Sequence, residues 1–236
     1  MTTGASSGHR QTSVRSSMRV NRGLRPPWTP PAPLLAPLLA VLALAGLLAW
    51  LLWAWQPGHP PGDAHRQLDL AGAPEGGDFT LQSAHGPVAL SDFRGRVVLL
   101  YFGYAACPDI CPTNLAIIGY ALKQLTAAER EQVQVLFVSV DPARDGLERL
   151  AEYAAYFDPG ILGVTGADAA VADAAARYGA AYRRTQAPDS AMGYLIDHSS
   201  FTYVVDQHGQ LVDTLPHATP AAVIVARLRA LLSAPS

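Results

Sequence analysis

Apolar and polar positions divide the chain into stretches of different character. Residues 1–33 are rich in Ser, Thr, Arg, Gly and Pro, with no apolar period, which predicts a disordered tail. Leu34 to Trp55 follow, 22 residues without a charge. At about 1.5 Å per residue, a helix of that length runs roughly 33 Å, close to the about 30 Å of a bilayer's hydrocarbon core. Residues 56–67 (QPGHPPGDAHRQ) are rich in Pro and Gly and predict a tether. From Leu68 on, short β-branched and aromatic runs alternate with longer runs that are apolar at helical spacing. That pattern predicts one α/β domain over residues 68–236.

Within this domain Phe79 to Gln82 and Val88 to Leu90 predict a hairpin with His85 in its turn. Val97 to Tyr104 reads as a buried strand, and Leu115, Ile118, Leu122 and Leu125 mark a helix ending near Leu125. Val133 to Val140 is the next strand, stopped by Asp141-Pro142. A helix over Leu147 to Phe157, a strand over Ile161 to Thr165 and a helix over Ala169 to Tyr178 follow. Tyr194 to Ile196 is extended, and Phe201 to Val205 pairs with Gln210 to Leu215 around Asp206 to Gly209. Pro220 to Leu232 closes the chain as an amphipathic helix. This order predicts a largely parallel sheet covered on both faces, with a late antiparallel hairpin supplying edge strands.

Charge sharpens the picture of the first stretch. Residues 1–62 hold five arginines and no acid, and the remainder holds 12 Lys and Arg against 19 Asp and Glu. The arginines precede the apolar run, which predicts a cytoplasmic N-terminus and a single pass through the cell membrane. Trp50, Trp53 and Trp55 cluster at its far end, as in an interfacial aromatic belt. The run exceeds the about 7 to 15 residues of a signal-peptide core and lacks an A-x-A site, so an uncleaved anchor is expected. The main domain then lies outside the cytoplasm. Its acidic balance argues against a nucleic-acid partner.

The chain has two cysteines, Cys107 and Cys111. Four apart, they cannot staple distant segments. They lie where the buried strand turns into the helix, with Pro112 suited to the helix's first turn. Free N–H groups and partial positive charge at a helix N-terminus favour thiolate over thiol. On a helix, residues i and i+4 face the same way, so both sulfurs can grip one soft ion, or each other as a redox disulfide. Two thiolates with an imidazole suit copper, as Cu(I) or Cu(II), or zinc. Of seven histidines, His9 falls in the tail, His59 and His65 in the tether, His85 and His208 in turns, and His217 after the last strand. His198 remains, beside Asp197 and expected in a loop between extended segments.

The run FGYAACPDICPTNL, Phe102 to Leu115, closely resembles the copper-binding motif of the Sco/SenC family. So do Phe137 to Asp145 (FVSVDPARD) and Tyr194 to Ser199 (YLIDHS). The resemblance covers about Leu68 to Leu232. It implies a thioredoxin-like fold with an N-terminal hairpin and a C-terminal β-hairpin insertion, preceded by one transmembrane helix. It implies that Cys107, Cys111 and His198 bind copper. It further implies a metallochaperone that serves the copper-bearing subunit of cytochrome c oxidase, filled by a copper donor protein and kept reduced by a thiol reductant. Where relatives carry Thr-His ahead of the first cysteine, this chain has Ala105-Ala106, which leaves the three ligands intact.

Other readings use the same residues. A thiol-disulfide oxidoreductase acting on a partner's cysteines needs Cys107 and Cys111 but not His198. A peroxiredoxin-like peroxidase carries Thr three residues before its reactive cysteine. Here Tyr104 and Pro108 hold those positions. An inert thiol pair sits poorly with a turn rich in Pro and Asp at a helix start. Asp141, Arg144 and Asp145 read as loop and cap residues.

Overall fold

The structure, a computed structural model, describes residues 35–54, 68–188 and 192–233. The predicted tail, the whole tether (with His59 and His65), and Leu34 and Trp55 of the predicted anchor lie outside them. The chain divides into two units, residues 1–59 and 60–236. In the first, helix α1 runs Leu35–Ala54, with described side chains over residues 37–52, all exposed. The 20 residues of α1 correspond to about 30 Å at 1.5 Å per residue. Among the described residues no helix is long and apolar enough to cross a membrane.

The second unit is built on a five-stranded sheet. A hairpin precedes it: β1 (Thr80–Ser83) and β2 (Gly86–Ala89), closed by Ala84 and His85. Leu90–Phe93 form a 3₁₀ turn. Strand β3 (Val97–Gly103) then enters the core with all seven residues buried. Both of its faces are buried, so it needs no polar face and reads as a continuous apolar run. Helix α2 (Ile110–Leu122) follows, and buries Cys111, Asn114, Leu115, Ile118 and Leu122. Leu125 lies past its end yet stays buried.

A short helix α3 (Ala127–Glu131) comes next, absent from the sequence reading. Its start carries a reciprocal cap: Glu129 N–H donates to Thr126 Oγ1, and Thr126 N–H donates to the Glu129 carboxylate. Strand β4 (Val133–Ser139), helix α4 (Leu147–Phe157), strand β5 (Ile161–Val164) and helix α5 (Asp168–Arg177) match the predicted elements to within a residue or so. Strands β6 (Tyr182–Ala187) and β7 (Gly193–His198) form a separate two-stranded sheet. Then come β8 (Thr202–Val205), β9 (Leu211–Leu215) and α6 (Ala221–Leu232).

The main sheet runs β5-β4-β3-β8-β9. The β3–β4 and β4–β5 pairs are parallel, and β8 pairs antiparallel with β3 and β9. Of the late hairpin, only β9 is an edge strand. β8 is interior, which its four buried residues (TYVV) explain. The α/β class and the thioredoxin-like arrangement are as expected. β3 is the middle strand, and the turn at its C-terminal end carries the cysteines.

Candidate metal centre

The two cysteines arrive by different means. Cys107 closes a turn in which its N–H donates to Tyr104 O at 3.2 Å. Cys111 is the second residue of α2 and is fully buried; Cys107 is 5% exposed. The free N–H of Cys111 donates to Cys107 Sγ at 3.4 Å. The helix thus offers a first-turn N–H to the preceding sulfur. Both thiols are free of a disulfide. Gly103 makes room for this arrangement. A Cβ there would lie 2.6 Å from Cys111 Sγ and 3.0 Å from the Phe137 ring.

His198 is the last residue of β7, not a loop residue. Its register partner is Tyr182 of β6. The strand delivers the ring to the cysteines: Nε2 lies 3.1 Å from Cys111 Sγ. Nδ1 lies 2.9 Å from Ser199 O. A carbonyl only accepts, so Nδ1 carries the proton in this contact and the Nε2 lone pair is left facing the sulfur. The ring stands edge-on to Tyr101 and Tyr104, at centroid distances of 6.4 and 5.9 Å. One ligand atom each from Cys107, Cys111 and His198 lies within 4.8 Å of the others, and all three residues are buried. Two sulfurs and an imidazole nitrogen form a soft donor set.

Burial decides the state of Cys111. It pushes the thiol well above its ordinary value, and the neighbouring Cys107 pushes the same way. The sequence expectation that the helix start would favour thiolate at Cys111 is corrected here. The residue sits inside the first turn, against the core, where desolvation of the charged form outweighs the helix field. Burial likewise raises Tyr101, whose ring faces the same site.

The carboxylate of Asp197, next to the histidine, accepts from Arg183 (2.9 Å) and Thr185 (3.0 Å) on β6. His85 and His208 are in turns, as predicted, and His217 lies in a turn after β9. The segment Asp141–Asp145 was read as loop and cap. Asp145 Oδ2 accepts the Ala105 N–H at 2.8 Å, and Asp141 Oδ1 accepts the Tyr194 hydroxyl at 2.8 Å. Asn114, also missed, donates to Thr202 Oγ1 at 2.9 Å and so ties α2 to β8. Its place on the buried face of an otherwise apolar helix was the available signal.

The SCO1/SenC family profile matches residues 69–233. The chain belongs to the SCO1/SenC family. A relative, mitochondrial SCO2 of Saccharomyces cerevisiae, is 37% identical over 141 residues, 59% of this chain and 47% of that protein. The chain thus matches about half the length of that relative. The solution structure of apo Sco1 from Thermus thermophilus shares 41% identity at a TM-score of 0.62, covering 72% of this chain and 100% of that one. Yeast Sco1 with copper bound shares 34% identity at a TM-score of 0.60, covering 69% and 91%. The expected family membership is therefore met, and copper-bound structures exist among the relatives of this SCO1/SenC domain.

Proposed function

We propose that the chain binds one copper ion through Cys107, Cys111 and His198 and delivers it to the copper-bearing subunit of a cytochrome c oxidase. The observation that carries this is the convergence of two sulfurs and an imidazole nitrogen within 4.8 Å, on a domain of the SCO1/SenC family. Two thiolates give the site two negative charges, so Cu(I) leaves −1 and Cu(II) leaves zero. Three protein ligands leave room for a ligand from a partner, which suits passing copper on. Metal binding needs the thiols deprotonated. A disulfide between Cys107 and Cys111 would block loading, so a thiol reductant precedes the copper donor.

The 22 uncharged residues from Leu34 to Trp55, about 33 Å if helical, act in this proposal as a single-pass anchor. The five arginines before them keep the N-terminus cytoplasmic and place the copper domain outside. The thiol-disulfide oxidoreductase reading is disfavoured by the burial of Cys111, since the attacking species in exchange is an accessible thiolate.

The deciding experiment titrates the reduced full chain and its His198→Ala variant with Cu(I) and Cu(II), alongside a disulfide-exchange assay. Copper delivery predicts weakened binding in the variant. Unchanged copper affinity with rapid disulfide exchange would overturn it in favour of the oxidoreductase.

A further inference from the structure

The three candidate ligands come from two parts of the domain that share no strand. The cysteines follow β3, and the histidine ends β7 in the satellite hairpin. Both parts are tied to the same short segment after β4. Asp145 is fully buried. Its Oδ2 accepts the Ala105 N–H at 2.8 Å and the Ser139 hydroxyl at 2.6 Å. Ala105 stands two residues before Cys107. Arg144, its neighbour, points to the hairpin instead. Its guanidinium carbon lies 3.6 Å from the Tyr194 ring centroid and 5.5 Å from that of Tyr104. Nη1 donates to Met192 O at 3.2 Å and Tyr194 O at 2.9 Å. Nε pairs with the Asp141 carboxylate, which also accepts the Tyr194 hydroxyl.

We propose that Arg144 is a positioning residue for His198 and Asp145 one for Cys107, so that one loop sets the geometry of both halves of the site without touching the metal. The proposal rests on the copper reading above. A two-stranded hairpin is marginal by itself, and β6 carries no fully buried residue. The hairpin is therefore placed by the buried end of β7, Ile196 to His198, and by its ties to the main body. Besides Arg144, those include Ile196 N–H on Tyr104 OH at 3.3 Å and Leu68 N–H on His198 O at 3.1 Å. The task suits arginine. A planar fork stacks on a ring and donates to two carbonyls together, whereas a lysine ammonium is a point charge that cannot do both.

The test uses the reduced full chain with Arg144→Met, Arg144→Lys and Asp145→Asn, each alone and combined with His198→Ala, in Cu(I) competition titrations. Outer partners of metal ligands typically contribute about 10- to 100-fold in affinity. Arg144→Met is expected to weaken binding about 10-fold with His198 present, and to add nothing once His198 is gone. Arg144→Lys gives the same pattern, and carries the comparison should Arg144→Met fail to fold. Asp145→Asn weakens binding in both backgrounds, because it acts through the cysteine loop. Without metal, hydrogen exchange at residues 182–187 and 193–198 is faster in Arg144→Lys, while β3 and β4 amides keep their rates. Wild-type copper affinity in both arginine variants, or an equal loss with and without His198, would overturn the role of Arg144. An Asp145→Asn loss that vanishes without His198 would overturn that of Asp145. If His198→Ala alone binds copper like wild type, the copper reading fails, and the metal-free exchange rates still decide whether Arg144 holds the hairpin.

Discussion

The cysteine half and the histidine half of the site are built on different physics. The cysteines hang from β3, a central strand with seven buried residues, and from α2, whose apolar face is in the core. Their place is set by packing. His198 hangs from a two-stranded sheet with polar, partly exposed β6 as its partner. Its place is set by the buried end of β7, Ile196 to His198, together with directed contacts: an arginine stacked on Tyr194, a Tyr194–Asp141 hydrogen bond and a Tyr104–Ile196 hydrogen bond. Packed cores resist displacement, whereas regions with few apolar contacts open at lower free energy. For the copper delivery proposed above, one half fixed by the central sheet and one half on a two-stranded sheet would suit a site that both holds and releases the ion.

The contrast can be tested by truncating each half in turn. Leu100, fully buried in β3, is the strongest lever. Leu100→Ala is expected to lower global stability by about 2–5 kcal/mol through lost burial and a cavity, read as a drop in denaturant midpoint at constant slope. A smaller loss would mean that the cysteine half is less tightly packed than described. Next is Gly103→Ala. Its Cβ would meet Cys111 Sγ at 2.6 Å, so strain of about 1–3 kcal/mol is expected, together with weakened copper binding as the sulfur is pushed aside. Wild-type affinity in that variant would show that the sulfur has room to spare.

Tyr194→Phe keeps the ring under Arg144 and removes the hydroxyl that Asp141 accepts. The expected cost is about 1 kcal/mol, seen in hydrogen exchange of the hairpin and hardly at all in global unfolding. If it lowers global stability as much as Leu100→Ala does, the two halves are one cooperative unit and the contrast fails.

The smallest effect lies far from both. Arg229 hydrogen bonds hold the Glu129 carboxyl down at about 2, helped by the Thr126 N–H. A carboxyl lowered on folding stabilises above its unfolded value of about 4.3 and loses that contribution as pH falls through about 2. Melting curves of wild type and Glu129→Gln should therefore differ slightly at pH 5 and converge by pH 2, whereas a constant offset would point to a non-ionic cause.

The same contrast explains what the sequence disclosed. Apolar spacing located β3, α2, β4 and α4 because those elements are made by burial, and Cys107 and Cys111 came with them. The hairpin that carries His198 was half visible. Tyr194 to Ile196 read as extended, but its partner Tyr182–Ala187 (YRRTQA) has no apolar alternation, since side-chain hydrogen bonds and backbone pairing replace burial there. His198 was singled out by elimination and family resemblance, and was expected in a loop. Arg144 and Asp145 looked like turn residues because their partners, Tyr194 and Ala105, lie 50 and 40 positions away. Helix α3 carries its signal in the sequence as Thr126 with Glu129 three residues on, a capping box without a long apolar run behind it. The acidity of Cys111 depended on depth of burial, which spacing does not reveal.

The central claim is that two sulfurs and one imidazole hold the same copper ion. X-ray absorption at the copper edge of the loaded, reduced full chain, with nitrogen hyperfine spectroscopy of its Cu(II) form, reads that directly. The account predicts two sulfur scatterers and one imidazole nitrogen, the nitrogen signal disappearing in His198→Ala. A copper ion bound by sulfur without imidazole, or an imidazole signal that persists in the variant, would contradict it.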